Sequence, residues 1–383
     1  MTDSRHGLPT RRAVAAGALG LMAAQAARAA SRNERLVYVG TQADQDGQGV
    51  FAARLDTATG KLTPIGVVAP LQRPTWLVAH PALPVVYALS ETGYGPGEQG
   101  KVHALKADPA TGALTVFSTV ASGGGGPAHM SLDGEAGGLL VAHYGDGHVA
   151  ALPVRADGGL EAPASVQANT GSGPGPQQQG PHAHAVLVDP SRRLALVADL
   201  GADRIFVHPY DAATRRLGPA GDASTDVPPM TGPRHLAIHP NGRFVYLLSE
   251  IEPEIRTYRW EAGRLVLVQA LPAGGMPPVN GAEVAVSTDG RFVYVSIRVE
   301  DVIGAYAVNE TTGALLQGER IPSGGKTPWS FAIDPSGRWL LAANQGSNTV
   351  TVLARDPSSG RLAATDQSVA VDRPTCLAFP AWG

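Results

Sequence analysis

Apolar and polar positions along this chain recur in a fixed order. Pro233 opens a short apolar run, RHLAIHP, that closes on His239 and Pro240. NGR (241–243) follows, a tight turn of the kind that joins antiparallel strands. FVYLLSE (244–250) is a second run, rich in the β-branched and aromatic residues of strands. IRTYRW (255–260) alternates apolar and polar side chains, and after the turn EAGRL a fourth run, LVLVQAL (265–271), completes the unit. Copies of the opening phrase start at Pro74, Pro127, Pro181, Pro233, Gly281, Pro328 and Pro374, 46 to 54 residues apart. Four short strands per unit, bounded by turn residues and without a long 3.6-residue period, predict an all-β chain. Repetition at this spacing predicts a seven-bladed β-propeller, each blade a sheet of four antiparallel strands.

The ends of the pattern predict how the ring closes. LVYVGTQ (36–42) matches the second strand of a unit, and RPTCLAFP (373–380) matches a first strand. The N- and C-terminal strands therefore pair within one shared blade, which removes an open sheet edge. In such a ring the functional residues are expected in the central channel and at its mouth.

Composition adds bounds. The 47 Gly and 31 Pro of the 383 residues supply the turns of seven blades rather than a disordered chain. The stretch TGSGPGPQQQG (170–180) reads either as a connection or as a lid over the channel. The net charge of −3 and the lack of a basic tract argue against a nucleic-acid partner. One cysteine, Cys376, excludes an intramolecular disulfide and a cysteine zinc site. No cofactor is expected. Residues 1–29 read as a twin-arginine signal: Arg11 and Arg12 precede the apolar run 13–24, and Ala27-Arg28-Ala29 offers a cleavage site. That run is too short for a stable membrane anchor. The expected product is a 30–383 propeller domain, delivered to the periplasm by the twin-arginine export machinery.

Aligned units separate scaffold from chemistry. One first-strand register holds Thr75, Ala128, His184, Arg234, Ala282, Trp329 and Thr375. The next position holds Trp76, His129, Ala185, His235, Glu283, Ser330 and Cys376. The ends of the second strands hold Gln42, Glu91, Tyr144, Leu200, Glu250, Arg298 and Gln345. A purely structural repeat would place apolar residues there; ionisable residues, each unlike its equivalents, indicate one asymmetric site on a pseudo-symmetric scaffold. Successive strand residues face opposite ways, so the two first-strand registers are not expected to face the channel equally, and the sequence leaves open which one wins.

The segments GPHAHAVLVDPSRRLALVADLGADRIFVHPYD (180–211), GPRHLAIHPNGRFVYLLSE (232–250), AEVAVSTDGRFVYVSIR (282–298) and PWSFAIDPSGRWLLAANQGSNTVTVL (328–353) resemble the seven-bladed lactonase family. That family includes propeller-type 6-phosphogluconolactonases and carboxy-muconate lactonizing enzymes. The resemblance runs from about Leu36 to Phe379 and implies a lactone as small-molecule substrate. It implies site residues at His182 or His184, Arg234, Glu250 and Arg298, four positions the register comparison also isolates. His184 or Glu250 would serve as base for water, and the arginines would hold an oxyanion or a carboxylate. His182, His129, His235, Glu283, Trp329 and Gln345 are the expected substrate contacts. Trp329 stands where the family often carries Arg, and Ile297 where a polar residue is usual; both argue against a phosphosugar. A non-catalytic binding propeller and a muconate-type cyclase are the competing readings. Scattered rather than convergent site residues would favour the former.

Overall fold

The computed structural model describes residues 33–45, 48–274 and 280–382. Residues 1–29, the expected signal, lie outside the described residues. Seven antiparallel sheets surround one axis. The first strands of blades 2 to 7 are Trp76–Ala79, Pro127–Leu132, Ala183–Val188, Pro233–Ile238, Gly281–Val286 and Pro328–Ile333. They neighbour one another in ring order, so each blade presents its first strand to the axis. Blade 1 is the shared one: Pro374–Ala378 pairs with Glu34–Thr41, which leads into Val50–Asp56 and Leu62–Ala69.

Blade 5 follows the unit read from sequence, with strands Pro233–Ile238, Phe244–Ser249, Glu254–Glu261 and Arg264–Pro272. Blade 4 departs from it. Its outer strand is reduced to Arg216–Leu217 and Thr225–Asp226. The residues between, GPAGDAS, carry two Gly and a Pro that cannot donate to a ladder.

The recurring apolar runs are the blade interfaces. Among the described residues, seven buried clusters form, one between each pair of neighbouring blades. Phe244, Tyr246 and Leu248 of blade 5, for example, pack on Val293, Val295 and Ile297 of blade 6. Full burial of each such side chain contributes about 1.5–3 kcal/mol. Tyrosine hydroxyls tie blade to blade: Tyr246 donates to Gly313 O at 3.0 Å and Tyr294 to Gly360 O at 2.8 Å. Both acceptor glycines have left-handed φ, and a Cβ on Gly360 would lie 2.1 Å from the Phe292 ring. The recurrent Asp-Pro phrase caps the turn after each first strand it closes: Asp334 Oδ1 accepts from the amides of Arg338 and Trp339 at 3.0 and 2.8 Å.

The 170–180 loop is no lid. Gln178 is buried, its Nε2 donates to Leu200 O and its Oε1 accepts from Gly175 N, both at 2.9 Å. These bonds pin the loop to the end of the second strand of blade 4, and none of its residues lines the axial pocket.

Two backbone devices position the site. In blades 1, 3, 4, 5, 6 and 7 the first strand carries one extra residue just after its opening residue, a β-bulge. His184, Arg234 and Trp329 are such bulged residues. The second device recurs in all seven blades. The residue after the second strand donates its amide to the carbonyl of the residue preceding the first strand, or in blade 2 three residues before it, as in Glu250 N to Gly232 O at 2.8 Å and Arg298 N to Asn280 O at 2.9 Å. In blades 1 and 2 the acceptors are Arg373 and Arg73, held at φ of 41° and 44°.

Candidate active site

A pocket of about 190 Å3 opens at the end of the axis where the first strands begin. The second-strand ends contribute Gln42, Glu91, Tyr144, Glu250 and Arg298 to its wall. The first strands contribute Thr75, Ala128, His184, Arg234 and Trp329 from one register, and also Trp76 and His235 from the next. The first register thus supplies most of what the first strands give to the wall, but the second is not excluded from it. A bulge sets two residues of one strand against a single partner and interrupts the two-residue alternation. Around Arg234 the ladder runs Pro233 to Ser249 and then His235 to Leu248. Arg234 and His235 therefore both reach the pocket.

Three expected site residues converge on the carboxylate of the fourth, Glu250. Arg234 Nε lies 2.9 Å and Arg298 Nη2 3.0 Å from Glu250 Oε2, with His184 Nε2 at 4.0 Å from the same atom. Arg234 is only 1% exposed, and its Nη1 also donates to Ala282 O at 2.5 Å. Trp329 lies beneath both cations, its ring centre 4.7 Å from Arg298 Cζ and 5.5 Å from Arg234 Cζ. It adds no charge, but it offers an aromatic face that holds both guanidiniums.

Burial raises the Glu250 carboxyl, but Arg298 and Arg234 outweigh it and hold Glu250 below the ordinary carboxyl value. Burial and the neighbouring Arg298 lower Arg234 to about 10, against the pull of Glu250, so it stays charged at physiological pH. Burial, followed by nearby Arg234 and His235, pushes His184 well below the ordinary imidazole value. At neutral pH His184 is therefore neutral, and its 4.0 Å approach to Glu250 is no ion pair.

The remaining expected contacts are placed differently. His235 lines the pocket and pairs through Nδ1 with Glu283 Oε1 at 3.0 Å; Glu283 lies behind it, away from the wall. His129 sits against Trp76 at 4.4 Å and accepts from Val186 N, one layer behind the wall. The His182 ring stacks on Tyr144 at 4.6 Å and supports that residue rather than the cavity. Gln345 donates to Gln42 Oε1 at 2.5 Å, and Gln42 is the one that reaches the wall. Ile297 is buried in the cluster between blades 5 and 6, so its apolar character has no bearing on anion binding. Cys376 is buried and its thiol is pushed up to about 12, which suits packing rather than nucleophilic chemistry.

Two residues at or behind the wall escaped the sequence reading. Tyr94 lies in the ten-residue connection between the second and third strands of blade 2, and its hydroxyl donates to Glu91 Oε1 at 2.6 Å. Arg73 pairs with the same Glu91 oxygen at 3.0 Å. Arg373, which opens the same RPT phrase as Arg73, donates to the wall residue Gln42 at 3.2 Å. Asp44 bridges the two arginines at 3.4 and 3.7 Å. Among the described residues, no group of three or more His, Cys, Asp or Glu is arranged to hold a metal ion.

The buried imidazoles set a pH dependence. Burial lowers His129, His184 and His235 in the folded protein. The unfolded chain therefore binds more protons below the ordinary histidine value of about 6.5, and stability falls as pH drops through that value. Glu250 acts in the same direction: its contribution is present above the ordinary carboxyl value and is lost as pH falls below it. Thermal unfolding midpoints should decline steadily from pH 7.5 to pH 4.5 by calorimetry. A flat profile over that range would contradict this assignment.

A ring of seven antiparallel sheets around an axial pocket lined by ionisable residues defines a seven-bladed β-propeller. The profile of the family described as "Lactonase, 7-bladed beta-propeller" matches residues 36–379, and the chain belongs to that family. It is 31% identical over 347 residues to a 6-phosphogluconolactonase of Bacillus subtilis, covering 89% of this chain and 97% of the relative. A 6-phosphogluconolactonase of Formosa agariphila is 29% identical over 349 residues, with 89% and 98% covered. The solved structure of the Pseudomonas aeruginosa periplasmic gluconolactonase superposes with a TM-score of 0.85 at 35% identity, covering 91% of this chain and all of that one.

Proposed function

We propose that the protein hydrolyses a sugar-acid lactone in the axial pocket, by attack of a water whose proton passes to a pocket imidazole. The convergence of Arg234 and Arg298 on Glu250, beside neutral histidines, carries this reading. Held low by two guanidiniums, Glu250 is a poor proton acceptor near neutral pH, and its part is to fix the arginines. A guanidinium offers five donors in a planar fork, more than Glu250 takes from either residue. The remaining N–H groups suit the oxyanion that forms as the carbonyl carbon is attacked. The imidazoles of His184 and His235 are kept neutral by burial, and a neutral ring can accept the water proton.

The charges lining the pocket favour a lactone without a phosphate. Among the wall residues Arg234 and Arg298 are offset by Glu250 and Glu91, which leaves no net cation to hold a phosphate dianion. Export to the periplasm after loss of residues 1–29 is part of the proposal. It is supported by the Arg11-Arg12 signal and by the similarity to a gluconolactonase described as periplasmic.

The test is hydrolysis of glucono-δ-lactone and 6-phosphogluconolactone by the purified mature chain, with and without EDTA. Glucono-δ-lactone is expected to open faster than in buffer, unaffected by chelator. Arg234→Ala should lower kcat/KM by about 10²–10³. Neither lactone opening above the buffer rate would overturn the reading. A strong preference for the phosphorylated ring would overturn the substrate class.

A further inference from the structure

Between the two histidines of the pocket wall, His184 and His235, the latter stands apart in what lies behind it. Its Nδ1 meets Glu283 Oε1 at 3.0 Å. Glu283 is itself fixed: Oε1 also accepts from Val284 N at 3.1 Å, Oε2 accepts from Ser330 Oγ at 2.9 Å, and its own amide donates to Ser296 Oγ at 3.0 Å. A carboxylate is acceptor-only, so the Nδ1 contact requires the proton to sit on Nδ1. That choice of tautomer leaves Nε2 with a lone pair. Nε2 has no hydrogen-bond partner among the described residues, and His235 forms part of the pocket wall. His184 lacks this backing: its Nδ1 is buried without a partner, and its Nε2 lies 4.0 Å from Glu250.

We propose that His235 is the general base of the lactone hydrolysis and that Glu283 is its positioning residue, a carboxylate–imidazole dyad reaching the pocket from behind. This rests on the lactonase reading above. Water attacks the carbonyl carbon as Nε2 takes one of its protons, and the carbonyl electron pair moves to the oxygen beside the arginines. Glu283 stabilises the imidazolium that forms. Collapse of the tetrahedral adduct breaks the bond from carbonyl carbon to ring oxygen, and the proton on Nε2 passes to that leaving oxygen. The carboxylic acid product then loses its own proton to solvent.

The charged and titratable groups around His235 are Glu283, Arg234, Glu250, His129 at 5.4 Å and His184 at 5.2 Å. Glu283 raises the affinity of His235 for a proton, whereas burial and Arg234 lower it. Removing the Glu283 charge must therefore move the acidic limb of the pH–rate profile to lower pH. Glu283→Gln is expected to lower kcat at least tenfold, leave KM within about twofold and shift that limb downward. His235→Gln should lower kcat by about 10²–10⁴. Nitrogen NMR of the wild-type protein should show Nδ1 of His235 protonated and Nε2 bare, a readout that needs no variant to fold. A wild type that opens no lactone overturns the lactonase reading. An active wild type whose His235→Gln variant keeps its rate within threefold overturns only the dyad. So does a His235 protonated on Nε2.

Discussion

Glu250→Ala should unfold at a markedly lower temperature than the parent chain and lose nearly all lactone-opening activity. Arg234 Nε and Arg298 Nη2 both pair with Glu250 Oε2, at 2.9 and 3.0 Å, and both arginines are buried. Truncating the carboxylate leaves two like charges facing each other without their shared counter-ion. Breaking a buried pair in this way costs about 3–5 kcal/mol, because the remaining charges lose their partner but not their burial. Activity suffers separately, since freed guanidiniums no longer hold donors where the oxyanion forms; loss of one such donor costs about 10²–10³ in kcat. Glu250→Gln discriminates between the two effects. It keeps the shape and one acceptor oxygen, so its unfolding midpoint should lie between those of the parent and Glu250→Ala. A Glu250→Ala protein within a degree of the parent midpoint would refute the clamp.

Deleting residues 374–383 should abolish cooperative folding. The deletion removes the first strand of blade 1 and leaves Glu34–Thr41 with an unpaired edge. It strips Cys376 and Ala378 from the cluster between blades 1 and 2, and Leu377 and Phe379 from the packing against blade 7. It also removes two bonds to blade 2: Thr375 Oγ1 to Thr75 O and Trp382 Nε1 to His80 O, both 2.9 Å. An open ring with a bare strand edge is an aggregation template. Calorimetry should show no single sharp transition, and limited proteolysis should degrade the truncated chain without a protected core. A cooperative transition near the parent temperature would show that the last strand is dispensable.

The architecture was legible because it rests on periodicity, which each of seven units states again. Blade 4 alone blurred it, where Gly218, Pro219 and Gly221 reduce the outer strand to fragments. Convergence of the pocket was legible in part. The second-strand ends lie in one register because the same amide-to-carbonyl bond anchors every one of them. The first strands misled, because a bulge inserts a residue that hydrophobic alternation cannot reveal. Arg234 and His235 therefore face one cavity although sequence parity sets them apart. Depth was not legible either. His129 and Glu283 occupy the same register as His235 but lie behind the wall, since neighbouring large side chains such as Trp76 decide which residue reaches water. Tyr94 left no trace because it lies outside the three registers that the repeats share.

The bulges have a consequence for how this scaffold tolerates change. The inserted residue stands opposite no partner of its own, so exchanging its side chain leaves the neighbouring ladder register intact. Five of the six blades with this feature display, at that one position, Ala128, His184, Arg234, Trp329 and Thr375, a sequence of chemistries with no common size or charge. The fold thus holds a set of interchangeable sockets around one cavity. Ala128 is an almost empty socket, already at the wall, through which a new functional group can enter without redesign of any blade.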